Sequence, residues 1–130
     1  MAKAVHSMIR VFDEKRSTEF YGKAFGLGVA DRIDFDSFTL VYLSNPETEF
    51  ELELTVNKGR SAPYDLGDGY GHLAVVVDVL DAEHKRIEAA GLSPGPIRKI
   101  DLQKEVARFF FMQDPDGYKI EVIERGGRFR

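Results

Sequence analysis

Along the first half of the chain the apolar residues alternate between two spacings. "AVHSMIRVF" (4–12) is a β-rich run. In "DEKRSTEFYGKAFG" (13–26) the period lengthens, so that Phe20, Tyr21, Ala24 and Phe25 share one side of a helix and Gly26 falls where a C-terminal cap belongs. Period two then returns. Strands are expected near 28–34, at "FTLVYL" (38–43) and at "FELELTV" (50–56), with "SNPE" turning the chain before the last.

The order then begins again. "GHLAVVVDV" (71–79) reads as a strand, and Asp81 is expected to cap a helix running to Ala90 with Gly91 after it. Strands follow near 96–101, 107–113 and 118–124, and "DPDG" (114–117) makes a tight turn between the last two. "GDGYG" (67–71) precedes a strand instead of opening a helix, so it is a turn and not a phosphate loop. The pattern is strand–helix–strand–strand–strand, twice, which places the chain in the α+β class.

The duplication extends to individual residues. His6 and His72 open the first strand of each unit. "FELEL" (50–54) and "YKIEV" (118–122) share the pattern aromatic, any, aliphatic, Glu, aliphatic, so Glu53 and Glu121 correspond. In "ELELTVN" (51–57), Leu52, Leu54 and Val56 fall on one face, and Glu51, Glu53, Thr55 and Asn57 on the other. If that second face meets water, Glu53 is ordinary. If it lines a cavity, the carboxylate needs a partner or a metal.

Composition narrows the choices. At 130 residues a single domain over 1–130 is expected, built on an internal repeat of 4–57 and 71–124. Apolar residues make up 43% and charged ones 31%, the balance of a globular protein and not of a disordered one. No apolar run reaches the length of a membrane span and the N-terminus shows no signal-peptide core, so the expectation is a cytoplasmic protein with no membrane partner. Zero cysteines exclude a disulfide framework, a thiolate metal site and a thiol nucleophile. With a net charge of −4 and scattered Lys and Arg, no nucleic-acid partner is expected. The closing "RGGRFR" reads as a frayed terminus.

Two His–Glu pairs at matching points of a repeated unit can converge as four ligands. Neutral imidazole and carboxylate suit divalent first-row metals, and the lack of thiolate argues against a structural zinc site. Taken singly, each of these residues is better explained by a hydrogen-bonded structural His or a solvated Glu, and it is the four at matching repeat positions that shift the balance. The third histidine, His84, falls on the polar side of the second helix, where solvation is enough. Arg10 shares a face with His6, and Asn57 with Glu53. A guanidinium fork and an amide suit an anionic ligand, while a salt bridge at a subunit or sheet edge serves Arg10 equally well.

The stretches "HSMIRV" (6–11), "STEFYGKAFG" (17–26), "ELTVN" (53–57), "YDLGDGYGHLAVVVD" (64–78) and "DPDGYKIEVIE" (114–124) resemble glyoxalase I (lactoylglutathione lyase), in the vicinal oxygen chelate superfamily, and most closely its short bacterial form. The resemblance implies paired βαβββ modules forming an open, cupped mixed sheet. It implies a homodimer with sites at the interface, where His6 and Glu53 of one chain and His72 and Glu121 of the other hold one divalent cation, nickel first, with cobalt or zinc as alternatives. It implies Glu121 as the catalytic base with Glu53 in the mirrored role, and Arg10 and Asn57 on the γ-glutamyl end of glutathione. The implied reaction turns the glutathione–methylglyoxal hemithioacetal into S-lactoylglutathione. "KEVARFFFMQ" (104–113) departs from the family by being bulkier and free of glycine, so the glycyl carboxylate is left to Arg98, Lys99, Lys104 or Arg108, which surface solvation explains as well. The alternatives are an epimerase or extradiol dioxygenase on the same fold, or a non-catalytic small-molecule binding or resistance protein.

Overall fold

Asp13 starts the first helix by accepting a hydrogen bond from Arg16 N on its side chain, and Gly26, with φ 64°, ends it in the left-handed conformation that glycine takes without penalty. A computed structural model describes all of residues 1–130, in two compact units, Met1–Asp65 and Leu66–Arg130. The expected repeat is present as two copies of the same element order.

In the first unit the elements are β1 (His6–Arg10), α1 (Glu14–Phe25), β2 (Gly28–Asp34), β3 (Phe38–Ser44) and β4 (Glu51–Asn57). Its sheet runs β1–β4–β3–β2, with β1 and β4 parallel and the other pairs antiparallel. A parallel pair needs a long crossover, which α1 and the β2–β3 hairpin supply. Ile9, Val41, Leu43, Leu52 and Leu54 fill one face of the sheet and, with Phe20, Tyr21 and Ala24 of α1, make the unit's core. Phe25, expected on the same helical side, is only half-buried at the C-terminal end.

The second unit repeats this with β5 (His72–Val77), α2 (Leu80–Ala89), β6 (Arg98–Asp101), β7 (Val106–Gln113) and β8 (Lys119–Glu124), in the order β5–β8–β7–β6 and again with the first pair parallel. Phe110, Met112, Ile120 and Val122 are buried, together with Leu80 and Ile87 of α2. The "DPDG" turn is tied by its first residue: buried Asp114 accepts from Asp116 N at 2.9 Å and Tyr118 N at 3.0 Å. Gly117 takes φ 95°, which a side chain would resist.

Two local expectations need correction. Asp81 does not cap α2. Val79 is the N-cap and gives no side-chain hydrogen bond, while Glu124 of β8 accepts from Leu80 N at 3.2 Å. Asp81 lies inside the first turn, favourable for an anion there, and takes a bidentate pair of bonds from Arg108. His84, in turn, is no solvated residue: its Nε2 meets the Gly95 carbonyl at 2.7 Å and its ring stands edge-on to buried Phe110. It pins the loop after α2 to the helix.

Candidate functional site

Both faces of β4 are covered. Leu52 and Leu54 point into the core, and Glu53, on the opposite face, is still only 7% exposed. A carboxylate held that far from water needs a partner, and the ladder supplies one. In the parallel β1–β4 pair His6 stands opposite Glu51, so Glu53, two residues on, lies on the same face, and His6 Nε2 meets Glu53 Oε2 at 2.8 Å.

The second unit repeats the register. His72 stands opposite Lys119, two residues before Glu121, and His72 Nε2 meets Glu121 Oε2 at 2.9 Å. Each imidazole is 41% exposed on its side chain, against 10% for Glu53 and 19% for Glu121. Each pair thus has an anchored carboxylate and an imidazole at the surface. Each unit brings together its own two predicted ligands, His6 with Glu53 and His72 with Glu121.

The donor chemistry suits a divalent cation. An imidazole nitrogen and a carboxylate oxygen are the ligands of first-row metals. In each unit the two donor atoms lie close enough, at 2.8 and 2.9 Å, that one cation could be held by both. As they stand the contacts are close His–Glu pairs.

Aromatic side chains flank both pairs. Tyr42 stands opposite Glu53 on the β3–β4 ladder, edge-on to the His6 ring at 5.9 Å, and donates its hydroxyl to Glu53 Oε1 at 3.3 Å. Burial, and after it the charge of Glu53, pushes the Tyr42 phenol above its ordinary range, so it stays a donor. Phe111 occupies the equivalent place opposite Glu121, edge-on to His72 at 5.3 Å. Period two put Tyr42 on this face in the sequence, but only the strand register makes it a neighbour of Glu53.

Arg10 and Asn57 continue the first unit's polar face beyond the ion pair, since Arg10 stands opposite Thr55 and Asn57 is two residues further. The Asn57 amide donates to the Tyr64 hydroxyl at 2.7 Å, and the Arg60 guanidinium lies 3.8 Å over the Tyr64 ring. The loop after β4 therefore orients Asn57, a support that strand patterning does not reveal. In the second unit Val76 stands at the place of Arg10 and Arg125 at the place of Asn57, and Arg125 is paired with Asp78 at 2.6 Å.

Of the four basic residues considered for a carboxylate, Arg108 is withdrawn by the structure: it is committed to Asp81 and Glu124 at 2.9 and 3.0 Å, where it ties α2 to the sheet. Arg98 and Lys99 are exposed on β6 and Lys104 on the loop that follows it. A cleft of about 530 Å³ opens beside His72, lined among others by Tyr70, Ser93, Phe111, Gln113 and Lys119.

Against known proteins, residues 3–122 match the family described as the Glyoxalase/Bleomycin resistance protein/Dioxygenase superfamily. The chain is 35% identical to a probable lactoylglutathione lyase of Synechocystis sp., covering 95% of this chain and 96% of that one. It is equally 35% identical to a lactoylglutathione lyase of Neisseria meningitidis, covering 95% and 91%. Among solved structures it is similar to the trypanothione-dependent glyoxalase I of Leishmania major, with a TM-score of 0.77 and 34% identity over 95% of this chain and 87% of that one.

Proposed function

The chain belongs to the glyoxalase/bleomycin resistance/dioxygenase superfamily, and from that premise we propose that it is a metal-dependent lactoylglutathione lyase that isomerises the hemithioacetal of glutathione and methylglyoxal to S-lactoylglutathione. The observation that carries this is the repetition of one His–Glu pair, in one register, in both units. A single His–Glu contact is a structural detail. Two copies, each with the imidazole at the surface, make a ligand set.

In this reading His6 and Glu53 of one protomer and His72 and Glu121 of its partner hold one cation in a homodimer, nickel first, with cobalt or zinc as alternatives, and the enzyme works in the cytoplasm. When bound, the cation supplies Lewis-acid stabilisation of the negative charge that develops on the substrate oxygens. Glu121 takes the proton from the carbon that bears sulfur and hydroxyl, and returns one to the neighbouring carbonyl carbon. The first carbon becomes the thioester carbonyl and the second the alcohol, so atoms and electrons balance with no outside oxidant. Arg10 and Asn57 hold the γ-glutamyl end of glutathione, the Asn57 amide being set by Tyr64.

The test follows thioester formation from methylglyoxal plus glutathione, using chelated protein reloaded with nickel, cobalt or zinc. Turnover that returns with metal is the expected result. No thioester from any reloaded sample ends the proposal.

A further inference from the structure

The two units match at the site down to the third side chain. Tyr42 and Phe111 hold equivalent places, each opposite its glutamate on the ladder and each edge-on to its histidine. Their chemistry differs by one hydroxyl. That hydroxyl gives Glu53 a second anchor: Oε2 is held by His6 at 2.8 Å and Oε1 by Tyr42 at 3.3 Å. Glu121 is held through Oε2 by His72, and Phe111 can offer its other oxygen only carbon. Glu121 is also the more exposed of the two side chains, 19% against 10%.

We propose that Tyr42 is a positioning residue that makes two otherwise equivalent carboxylates unequal, fixing Glu53 as a stationary ligand and leaving Glu121 as the carboxylate free to move with a proton. The inference rests on the lyase reading above and deepens it. A carboxylate that must ligate and also carry a proton needs a rotation that a second hydrogen bond opposes. A carboxylate that only ligates gains from that bond, because it arrives in the bound orientation. Among the ladder partners of the two glutamates on β3 and β7, the Tyr/Phe exchange is the polar difference between the units.

Two conservative variants separate the roles. Tyr42→Phe removes only the hydroxyl, and Phe111→Tyr adds one at the partly exposed equivalent place, 36% open to solvent. Nickel affinity, measured by competition with a chelator, is expected to fall about tenfold in Tyr42→Phe, the low end for a group that orients a ligand because the bond is long. Phe111→Tyr is expected to keep its nickel affinity but to lose about tenfold in kcat with KM unchanged, because Glu121 is now tethered. In the double variant Tyr42→Phe/Phe111→Tyr, adding Glu121→Gln should cost less turnover than it costs the wild type. Nickel affinity equal in wild type and Tyr42→Phe overturns the proposal whether or not the protein is active. So does a wild-type kcat in Phe111→Tyr. Absence of thioester from the metal-loaded wild type instead counts against the lyase reading, and leaves the affinity comparison to decide the role of Tyr42.

Discussion

His72 Nε2 lies 2.9 Å from Glu121 Oε2, across two strands that run parallel. The separation follows from the backbone: the ladder pairs His72 with Lys119, and the strand repeat brings the residue two further on to the same face. Neither side chain depends on a loop for its place. A site built this way tolerates conservative changes without losing its frame, which makes substitution experiments interpretable.

Glu121→Gln is therefore expected to fold normally and to keep part of its metal affinity, while turnover falls by roughly 10²- to 10⁴-fold, the range for loss of a positioned acid–base group. Thioester formation and the melting temperature, read on the same preparation, check it. Near-normal isomerisation removes Glu121 from the chemistry.

Metal loading should also register as stability. A ligand that binds only the folded protein stabilises it by about 2.7 kcal/mol at a hundredfold excess over Kd, so nickel is expected to raise the melting temperature of chelated protein. His72→Ala should lose most of that rise, because it removes one of the proposed ligands and leaves the core beneath untouched. An equal rise in the variant means that the metal binds elsewhere.

Arg10→Ala should act on substrate affinity. The guanidinium sits beyond the ion pair on the face that Asn57 shares, so its loss should raise KM for the glutathione adduct about tenfold or more, the scale of a charge-assisted hydrogen bond of about 1.5–3 kcal/mol. The kcat should change little. A KM that stays put assigns Arg10 to the sheet edge instead.

The sequence makes the paired histidines and glutamates legible for one physical reason: period two decides which side chains share a face, and a repeat decides which positions correspond. β1 and β6 are shorter than the pattern predicts, at His6–Arg10 and Arg98–Asp101. What the pattern cannot carry is register and distance along the chain. Tyr42 meets Glu53 only through the β3–β4 alignment, and the group that caps α2, Glu124, is 44 residues from Leu80. His84 looks solvated because its bond to the Gly95 carbonyl comes from a loop that no periodicity describes.

Asp34 gives a pH dependence with a definite sign. The Thr39 hydroxyl, at 2.7 Å, and then Lys58 and its charge hold the carboxyl below its ordinary range. A depressed folded pKa means that the native state binds the proton less readily than the unfolded chain. The stabilisation is present above the unfolded carboxylate range and is lost as pH falls through the folded value. Melting curves of wild type and Asp34→Asn should therefore be separated at neutral pH and converge on acidification. A gap that persists below the carboxylate range shows that the side chain contributes by some means other than its charge.

Arg108→Ala distinguishes a scaffold from a binding group. Arg108 reaches Asp81 on α2 and Glu124 on β8, and Glu124 in turn accepts from Leu80 N at the start of the helix. Removing the guanidinium leaves two carboxylates facing each other beside the helix start, so the melting temperature should fall and amide exchange in α2 should quicken. KM for the glutathione adduct should stay within about twofold, because both terminal nitrogens of the side chain are engaged within its own unit. A rise in KM at unchanged stability reverses this assignment and returns Arg108 to the candidates for the glycyl carboxylate.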